Sequence, residues 1–329
     1  MRNIRWGIIG CGDVTEVKSG PGFQKATGSE LAAVMRRTGH LAKDYAARHG
    51  VANWYDDALA LIADPLVDAV YVATPPSSHK DYTLLAAQAG KPVYVEKPMA
   101  MNHAECMEMV KSCERAGVPL FIAYYRRALP RFVKIKELVD DGAIGEVRFV
   151  NINLYRPASP SDADPKQNWR VDPAVSSGGY FPDMASHMLD FLDYVLGPIA
   201  EVNGFAGNQA GLYAAEDIVT GSFRFESGVQ GTGMWCFSAY DKRDWTEIVG
   251  TKGKIGYATF DESPVVLTTS IGTESFAIPN PPHVHQPLIQ SIVDELNGND
   301  NGICPSRGES AARTSWVMDQ MLKAYYARN

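Results

Sequence analysis

Two segments carry side chains whose type and spacing suit chemistry. Val93-Tyr94-Val95-Glu96-Lys97-Pro98 sets an ammonium at the end of a short apolar run. The proline restricts Lys97 to extended backbone, so the amine is held at a strand end. Such an amine can donate a proton or stabilise negative charge if partial burial or a neighbouring cation, Arg36 or Arg127 for instance, brings its pKa toward neutrality. Glu96 alternates to the opposite face of the strand and reads as a structural hydrogen-bond acceptor. The second segment runs from Gly178 to Asp190. On a helix, Asp183, His187 and Asp190 fall at i, i+4 and i+7, along one line. The apolar stripe Met184, Met188, Phe191, Leu192 and Val195 is centred roughly 120° away by the helical period. His187 therefore stands off the obvious core stripe, beside carboxylates able to orient its ring and raise its pKa. A lone helix histidine is more often structural; the aligned acids and the Gly-Gly-Tyr lead-in favour chemistry. HxxD without a third soft ligand argues against zinc there. His283-Val284-His285 alternates like a metal pair but lacks a nearby third ligand, and reads as a surface loop.

A third feature gives these groups something to act beside. GIIGCGDVT places Gly7, Gly10 and Gly12 between an apolar strand and a helix start. Gly10 permits a tight turn, Gly12 lets the backbone approach a pyrophosphate, and amides at the helix start, near Asp13 and Val14, face the anion. Thr15 occupies the third position of GxGxxG, a departure expected to loosen helix–strand contact, and Gly20-Pro21-Gly22 should cut the helix short. The end of the second strand decides the cofactor. NAD binding usually sets Asp or Glu there; arginine accommodates a 2′-phosphate. The chain reads Val34-Met35-Arg36-Arg37-Thr38, with no acid until Asp44. Two guanidiniums match a phosphate dianion and Thr38 adds a hydroxyl, so NADP is expected, with NAD as the alternative. Thr74-Pro75-Pro76-Ser77-Ser78-His79 closes the fourth strand, where Thr74, Pro75 and His79 could line a nicotinamide pocket or simply cap a helix.

These groups need a frame. At 329 residues the chain should hold two domains. Ile4–Gly10, Leu31–Met35, Ala69–Ala73, Val93–Glu96 and Leu120–Tyr124 read as buried strands, with helices His40–His49, Asp57–Ile62, Lys80–Ala89 and His103–Ala116 between them. Gly50, Gly90 and Gly117 sit at expected C-caps. The alternation implies right-handed crossovers and an α/β, doubly wound parallel sheet of Rossmann type over residues 1–123. Residues 124–329 change character. Strand-like runs with period-2 stretches such as Val219–Glu226 predict an α+β domain with a mostly antiparallel open sheet. Helices Phe132–Asp140 and Met184–Leu196 should cover one face, and a last helix at Glu309–Ala327 could pack back on the first domain. A net charge of −7 without a Lys/Arg-rich run argues against nucleic acid. No apolar window is long enough to span a membrane. The five scattered cysteines read as reduced thiols of a cytoplasmic protein.

The Gly10-x-Gly12 turn, the ATPPSSH loop, VEKP and GGYFPDMASHMLD, in that order and spacing, resemble the glucose–fructose oxidoreductase/inositol dehydrogenase (Gfo/Idh/MocA) family over essentially the whole chain. That resemblance implies Lys97, Asp183 and His187 as the catalytic lysine, aspartate and histidine, and Pro98 as the proline often found in the cis form. It implies Arg126-Arg127-Ala128-Leu129-Pro130 as the segment near the substrate, and a homodimer or homotetramer formed through the second-domain sheet. Tyr124-Tyr125 departs from the smaller polar residues of many members. The expected activity is NADP-dependent hydride transfer to or from a secondary alcohol of a sugar, polyol or dihydrodiol. Gly10, Gly12, Asp13, Val14, Arg36, Arg37, Thr38, Thr74, Pro75, His79, Glu96 and Lys97 would meet the cofactor. Arg127, Tyr155, Trp169 and Arg170 would join the catalytic residues around the substrate. The rival expectation is a non-catalytic dinucleotide sensor or regulator of the same fold. Loss of Lys97 or His187 would favour the sensor, and both are present; an enzyme needs the two, far apart in the chain, in one cleft.

Overall fold

The computed structural model describes residues 2–163, 168–299 and 303–327. The chain divides into two compact units, residues 1–129 with 281–312, and residues 130–280 with 313–329. The expected single cut near residue 123 is therefore replaced by an interrupted arrangement, in which the chain returns to the first unit from residue 281.

In chain order the first unit contains β1 (Ile4–Ile9), α1 (Asp13–Val17), α2 (Gly20–Lys25), β2 (Ser29–Met35), α3 (Gly39–His49), β3 (Asn53–Tyr55), α4 (Ala58–Ala63), β4 (Ala69–Val72), α5 (His79–Gln88), β5 (Val93–Val95), α6 (His103–Ala116) and β6 (Leu120–Ile122). The six strands lie in the order β3-β2-β1-β4-β5-β6, all parallel. This is a doubly wound sheet whose order reverses between β1 and β4. Strands buried on both faces read as unbroken apolar runs rather than alternating ones, which is why β1, β4 and β5 were legible. β3, short and half-exposed, carries no such signal. Register levels the carboxyl ends: Ile9 pairs with Met35 and Val72, Val72 with Val95, and Val95 with Ile122. Gly10, Arg36, Ala73, Glu96 and Ala123 thus leave the sheet along one edge. Helices are stopped as expected, by left-handed Gly50 and Gly117. Side-chain caps start others, Asp57 on α4 and Asn102 on α6.

The second unit adds α7 (Pro130–Asp140), β7 (Val147–Tyr155), α8 (Pro173–Ser176), α9 (Tyr180–Leu196), β8 (Ile199–Gly207), β9 (Ile218–Phe225), β10 (Gln230–Cys236), β11 (Arg243–Gly250), β12 (Gly253–Tyr257), β13 (Val265–Thr269) and β14 (Gly272–Phe276). Its eight strands run β14-β13-β12-β11-β7-β10-β9-β8. Pairing is antiparallel except for β7 with β10, which is parallel. The sheet is mixed and mostly antiparallel. The chain closes with α10 (Gln286–Leu296) in the first unit and α11 (Gly308–Tyr326). The start of α11 belongs to the first unit, with Ala311 and Ala312 in its apolar core, and the rest to the second. Among the described residues, no helix is long and apolar enough to cross a membrane.

Candidate active site

In the first unit, the loops after β1 and β4 meet at the point where strand order reverses. Gly10 has φ +93°, and a Cβ there would lie 2.7 Å from Thr74 Cγ2 and 3.1 Å from the Ala73 carbonyl. Only glycine serves both the turn and that approach. Above Gly12 the space is open: a Cβ would meet nothing nearer than the Gly10 oxygen at 3.9 Å. The Gly10 and Cys11 amides donate to the Met35 carbonyl at 2.9 and 3.1 Å, pinning the turn to the end of β2. Thr15 does not loosen the contact. It is fully buried, and its hydroxyl donates to the Gly12 carbonyl at 2.7 Å. An uncovered glycine backbone between β1 and α1 fits a dinucleotide pyrophosphate.

Asp13 is exposed and Val14 half-buried at the start of α1. Arg36, Arg37 and Thr38 are all exposed at the end of β2. An acid that the local sequence did not signal stands in the same corner. A Cβ on Gly39 would lie 3.3 Å from the Asp56 carboxylate, delivered by the chain after β3. Thr74 and Pro75 are half-buried beside Gly10.

Two expected cofactor contacts are corrected. His79 is wholly buried, with Nε2 2.6 Å from the Thr74 carbonyl and Nδ1 3.0 Å from that of Pro98. Burial pulls its pKa down to about 4, against the carbonyls, which favour the charged ring. It braces the β4 and β5 loops and has no free edge for a ligand. The Glu96 side chain also turns into the protein: it accepts from the Tyr71 hydroxyl and, at 3.2 Å, from the Lys97 amide. Burial raises its pKa above the usual carboxylate value. Lys97, half-buried, follows at the level strand edge, and its bond to Pro98 is cis. Arg127 is buried and donates to the Pro305 carbonyl at 2.9 Å.

In the second unit, α9 carries Asp183 and His187. Its Gly-Gly lead-in has a packing cause. The Gly179 amide donates to buried Glu216 at 2.9 Å, and a Cβ on Gly179 would lie 2.7 Å from the Glu216 carbonyl. Burial raises the Glu216 pKa, and the Tyr326 hydroxyl donates to it at 2.6 Å. The helix is more deeply buried than a single stripe suggests: His187 is 4% exposed and Asp190 1%. Asp183 receives Arg170 Nε at 3.2 Å, and the Arg170 guanidinium lies 4.7 Å over the Trp169 ring. Asn168 Oδ1 accepts from the Arg170 amide at 3.3 Å, while its amide nitrogen reaches Tyr180, the first residue of α9, at 2.6 Å. Tyr180 in turn donates to fully buried Asp162 at 2.5 Å. Trp169, Arg170 and Asp183 are therefore grouped at the start of α9, and His187 follows one turn along the helix. Tyr155 ends β7, paired with Cys236 and Arg243 at the end of β10 and the start of β11.

Sequence reasoning missed the Phe260 loop. Asp244 collects the amides of Thr259, Phe260 and Asp261 at 2.9, 2.6 and 2.9 Å. That nest sets the Phe260 ring edge-on to His187, centroids 6.0 Å apart. Only a carboxylate able to reach fifteen or more positions ahead does this, and no local pattern announces it.

Residues 4–124 match the oxidoreductase family with an NAD-binding Rossmann fold, and residues 132–256 match the GFO/IDH/MocA C-terminal domain. Oxidoreductase P35 of Formosa agariphila is 41% identical over 317 residues, 96% of this chain and 97% of the relative. The chain belongs to the GFO/IDH/MocA family. It is an NAD(P)-dependent oxidoreductase. Myo-inositol 2-dehydrogenase of Thermotoga maritima is 30% identical, over 82% of this chain and 79% of its own. The crystal structure of aldose-aldose oxidoreductase from Caulobacter crescentus, complexed with glycerol, superposes with a TM-score of 0.87 at 26% identity, covering 100% of this chain and 99% of the other.

Proposed function

We propose that this GFO/IDH/MocA protein moves a hydride between NADP and a secondary alcohol of a sugar, polyol or dihydrodiol. The observation that carries the reading is the position of Lys97, at the level edge of β1, β4 and β5 and one strand beyond the switch point. That edge is where doubly wound sheets bind ligands. The relatives named for inositol and aldose chemistry support the substrate class. The nicotinamide, when bound, supplies or accepts the hydride. His187 would take the hydroxyl proton or return it in the reverse direction. Lys97 would hydrogen-bond the substrate oxygen and stabilise its developing charge. Asp183 would orient a neighbouring hydroxyl, exchanging its Arg170 contact for substrate; Arg170 and Trp169 would flank the sugar, and Tyr155 and Arg127 would add contacts.

The test is a turnover screen of both nicotinamide cofactors against aldoses, inositols and vicinal diols, with Lys97→Ala beside the wild type. Lys97→Ala should cost at least two decades in turnover while dinucleotide affinity survives; near-wild-type turnover ends the assignment. Tight dinucleotide binding without turnover on any substrate would favour a sensor of the same fold.

A further inference from the structure

Asp183 and His187 lie in the first two turns of α9, a helix that begins without a side-chain cap because its N-cap is Gly179. A helix start leaves backbone N–H groups with no partner inside the helix. Here an acceptor arrives from 37 positions ahead, on the approach to β9: the Gly179 amide donates to Glu216 Oε1 at 2.9 Å. Glu216 is wholly buried and set against the turn. Gly178 has φ +146°, and a Cβ there would lie 3.0 Å from Glu216 Oε1 and 2.8 Å from Pro182 Cγ. Carboxyl, glycine turn and Pro182 are thus packed with no room for a side chain between them. Asp183 is the next residue.

The other oxygen of the same carboxyl is held from α11, where the Tyr326 hydroxyl donates to Oε2 at 2.6 Å. The course of α11 is fixed by paired glycines of β8 and β9. A Cβ on Gly204 would stand 2.7 Å from Met321 Cα, and one on Gly221 2.9 Å from Met321 Cε. Tyr326 follows Met321 by little more than a turn. Earlier in α11, Arg313 donates to both carboxylate oxygens of Asp193, near the other end of α9, at 2.9 and 2.7 Å. All of these residues belong to the second unit. Within it α11 grips α9 twice, directly near its carboxyl end and through Glu216 at its amino end. The second grip is at the end that carries Asp183 and His187.

We propose that Glu216 is a positioning residue: its buried carboxyl, fixed by Tyr326, holds the Gly178-Gly179 turn and through it the start of α9 that presents Asp183 and His187. The inference rests on those two side chains serving the reaction proposed above, so its test includes a readout that needs no turnover. Glu216→Gln keeps an acceptor for the Gly179 amide and turns a donor to the Tyr326 oxygen, which can accept. Glu216→Met fills a similar volume with neither. Tyr326→Phe removes only a hydroxyl, from a ring 37% exposed. With NADPH and a turned-over sugar or diol, Glu216→Met should lower kcat at least tenfold, with the NADPH Kd within threefold of wild type. Tyr326→Phe should lower kcat at least threefold, and Glu216→Gln should stay within twofold. In parallel, ¹³C-labelled histidine and NMR report the His187 ring among seven histidines, its signal assigned by loss in His187→Gln. That signal should shift in Glu216→Met and Tyr326→Phe and hold its place in Glu216→Gln. An unmoved His187 signal in Tyr326→Phe, or a Glu216→Gln variant that loses as much kcat as Glu216→Met, overturns the proposal. So does a kcat loss that tracks the thermal midpoint in all three. Should Glu216→Met fail to fold, the His187 signal in the other two variants decides by the same criteria. A wild type with no turnover removes the enzyme reading, and that signal then decides the positioning role alone.

Discussion

At the scale of single residues, cofactor choice comes down to charge in one exposed corner. Arg36 and Arg37 stand at the end of β2, and Asp56 approaches the same place from the chain after β3. A 2′-phosphate brings about two negative charges at neutral pH, by analogy with other phosphate monoesters. Two guanidiniums can meet it in forked geometry; one carboxylate repels it and would instead accept from a free ribose hydroxyl. The two cations outnumber the acid, so NADP should bind more tightly than NAD. Arg36→Ser with Arg37→Ser should raise the NADP Kd by about 1–3 kcal/mol per lost charge-assisted contact, tenfold or more in total, and leave the NAD Kd nearly unchanged. Asp56→Asn should move the preference the other way, toward NADP. Fluorescence titration with the two reduced cofactors measures both. A wild type that prefers NAD would show that Asp56, not the arginine pair, governs the corner.

At the scale of elements, the short first helix is the departure that most shapes the cofactor half. The sequence showed the interruption at Gly20-Pro21-Gly22 but not its reason, because the reason is tertiary. A Cβ on Gly20 would stand 2.2 Å from the Thr15 carbonyl and 2.4 Å from the Tyr45 hydroxyl, so α2 starts directly against the last turn of α1. One of those atoms is backbone and the other is bonded to it, so neither can yield without breaking the contact that satisfies Thr15. On Gly22 the nearest atom would be Ile289 Cδ1 at 3.0 Å, the far end of a flexible side chain. Gly20→Ala should therefore destabilise by about 1–3 kcal/mol, the usual range for overpacking, and weaken dinucleotide binding through the displaced turn. Gly22→Ala should cost under about 1 kcal/mol, since helix propensity favours alanine and Ile289 can shift. Urea unfolding with NADPH titration compares them; similar losses at both positions would contradict the packing argument. The same contrast marks what was legible. β1, β4, β5 and α9 announce themselves by apolar runs or period, whereas Thr15, His79 and Glu96 are each tied to a distant partner, Tyr45, Pro98 and Tyr71, 30, 19 and 25 positions away.

At the scale of the molecule, that limit recurs. The parallel sheet, the strand-rich second unit and the placement of Lys97, Asp183 and His187 on a strand end and a helix all follow from pattern. The return of residues 281–312 to the first unit does not, because α10 has the amphipathic period of any surface helix and its partner, α2, is named by no local signal. The returning segment brings buried His285 into the unit that also holds buried His79, and two buried neutral histidines have a consequence for the whole unit. Burial lowers His79 from 6.5 to about 4 and His285 from 6.5 to about 3. Above pH 6.5 both rings are neutral in folded and unfolded chains, so they contribute their full stability. As pH falls below 6.5 the unfolded chain takes up protons first, and stability is lost until the folded pKa is passed. By linkage each ring costs about 2 kcal/mol by pH 5. Glu96 works in the opposite sense, because its raised pKa means the folded chain binds that proton first. The causes of the His79 shift are burial, the carbonyls of Thr74, Pro98 and Met99, and Lys97, with Glu96 not among them, so His79 isolates the effect. His79→Gln keeps an amide donor for the surrounding carbonyls and removes the titration. The loss in urea stability between pH 7.5 and pH 5 should then be about 2 kcal/mol smaller than in the wild type. An identical pH dependence in the two proteins would mean that the imidazole is charged in the folded state, held by the carbonyls of Thr74 and Pro98 against the cost of burial.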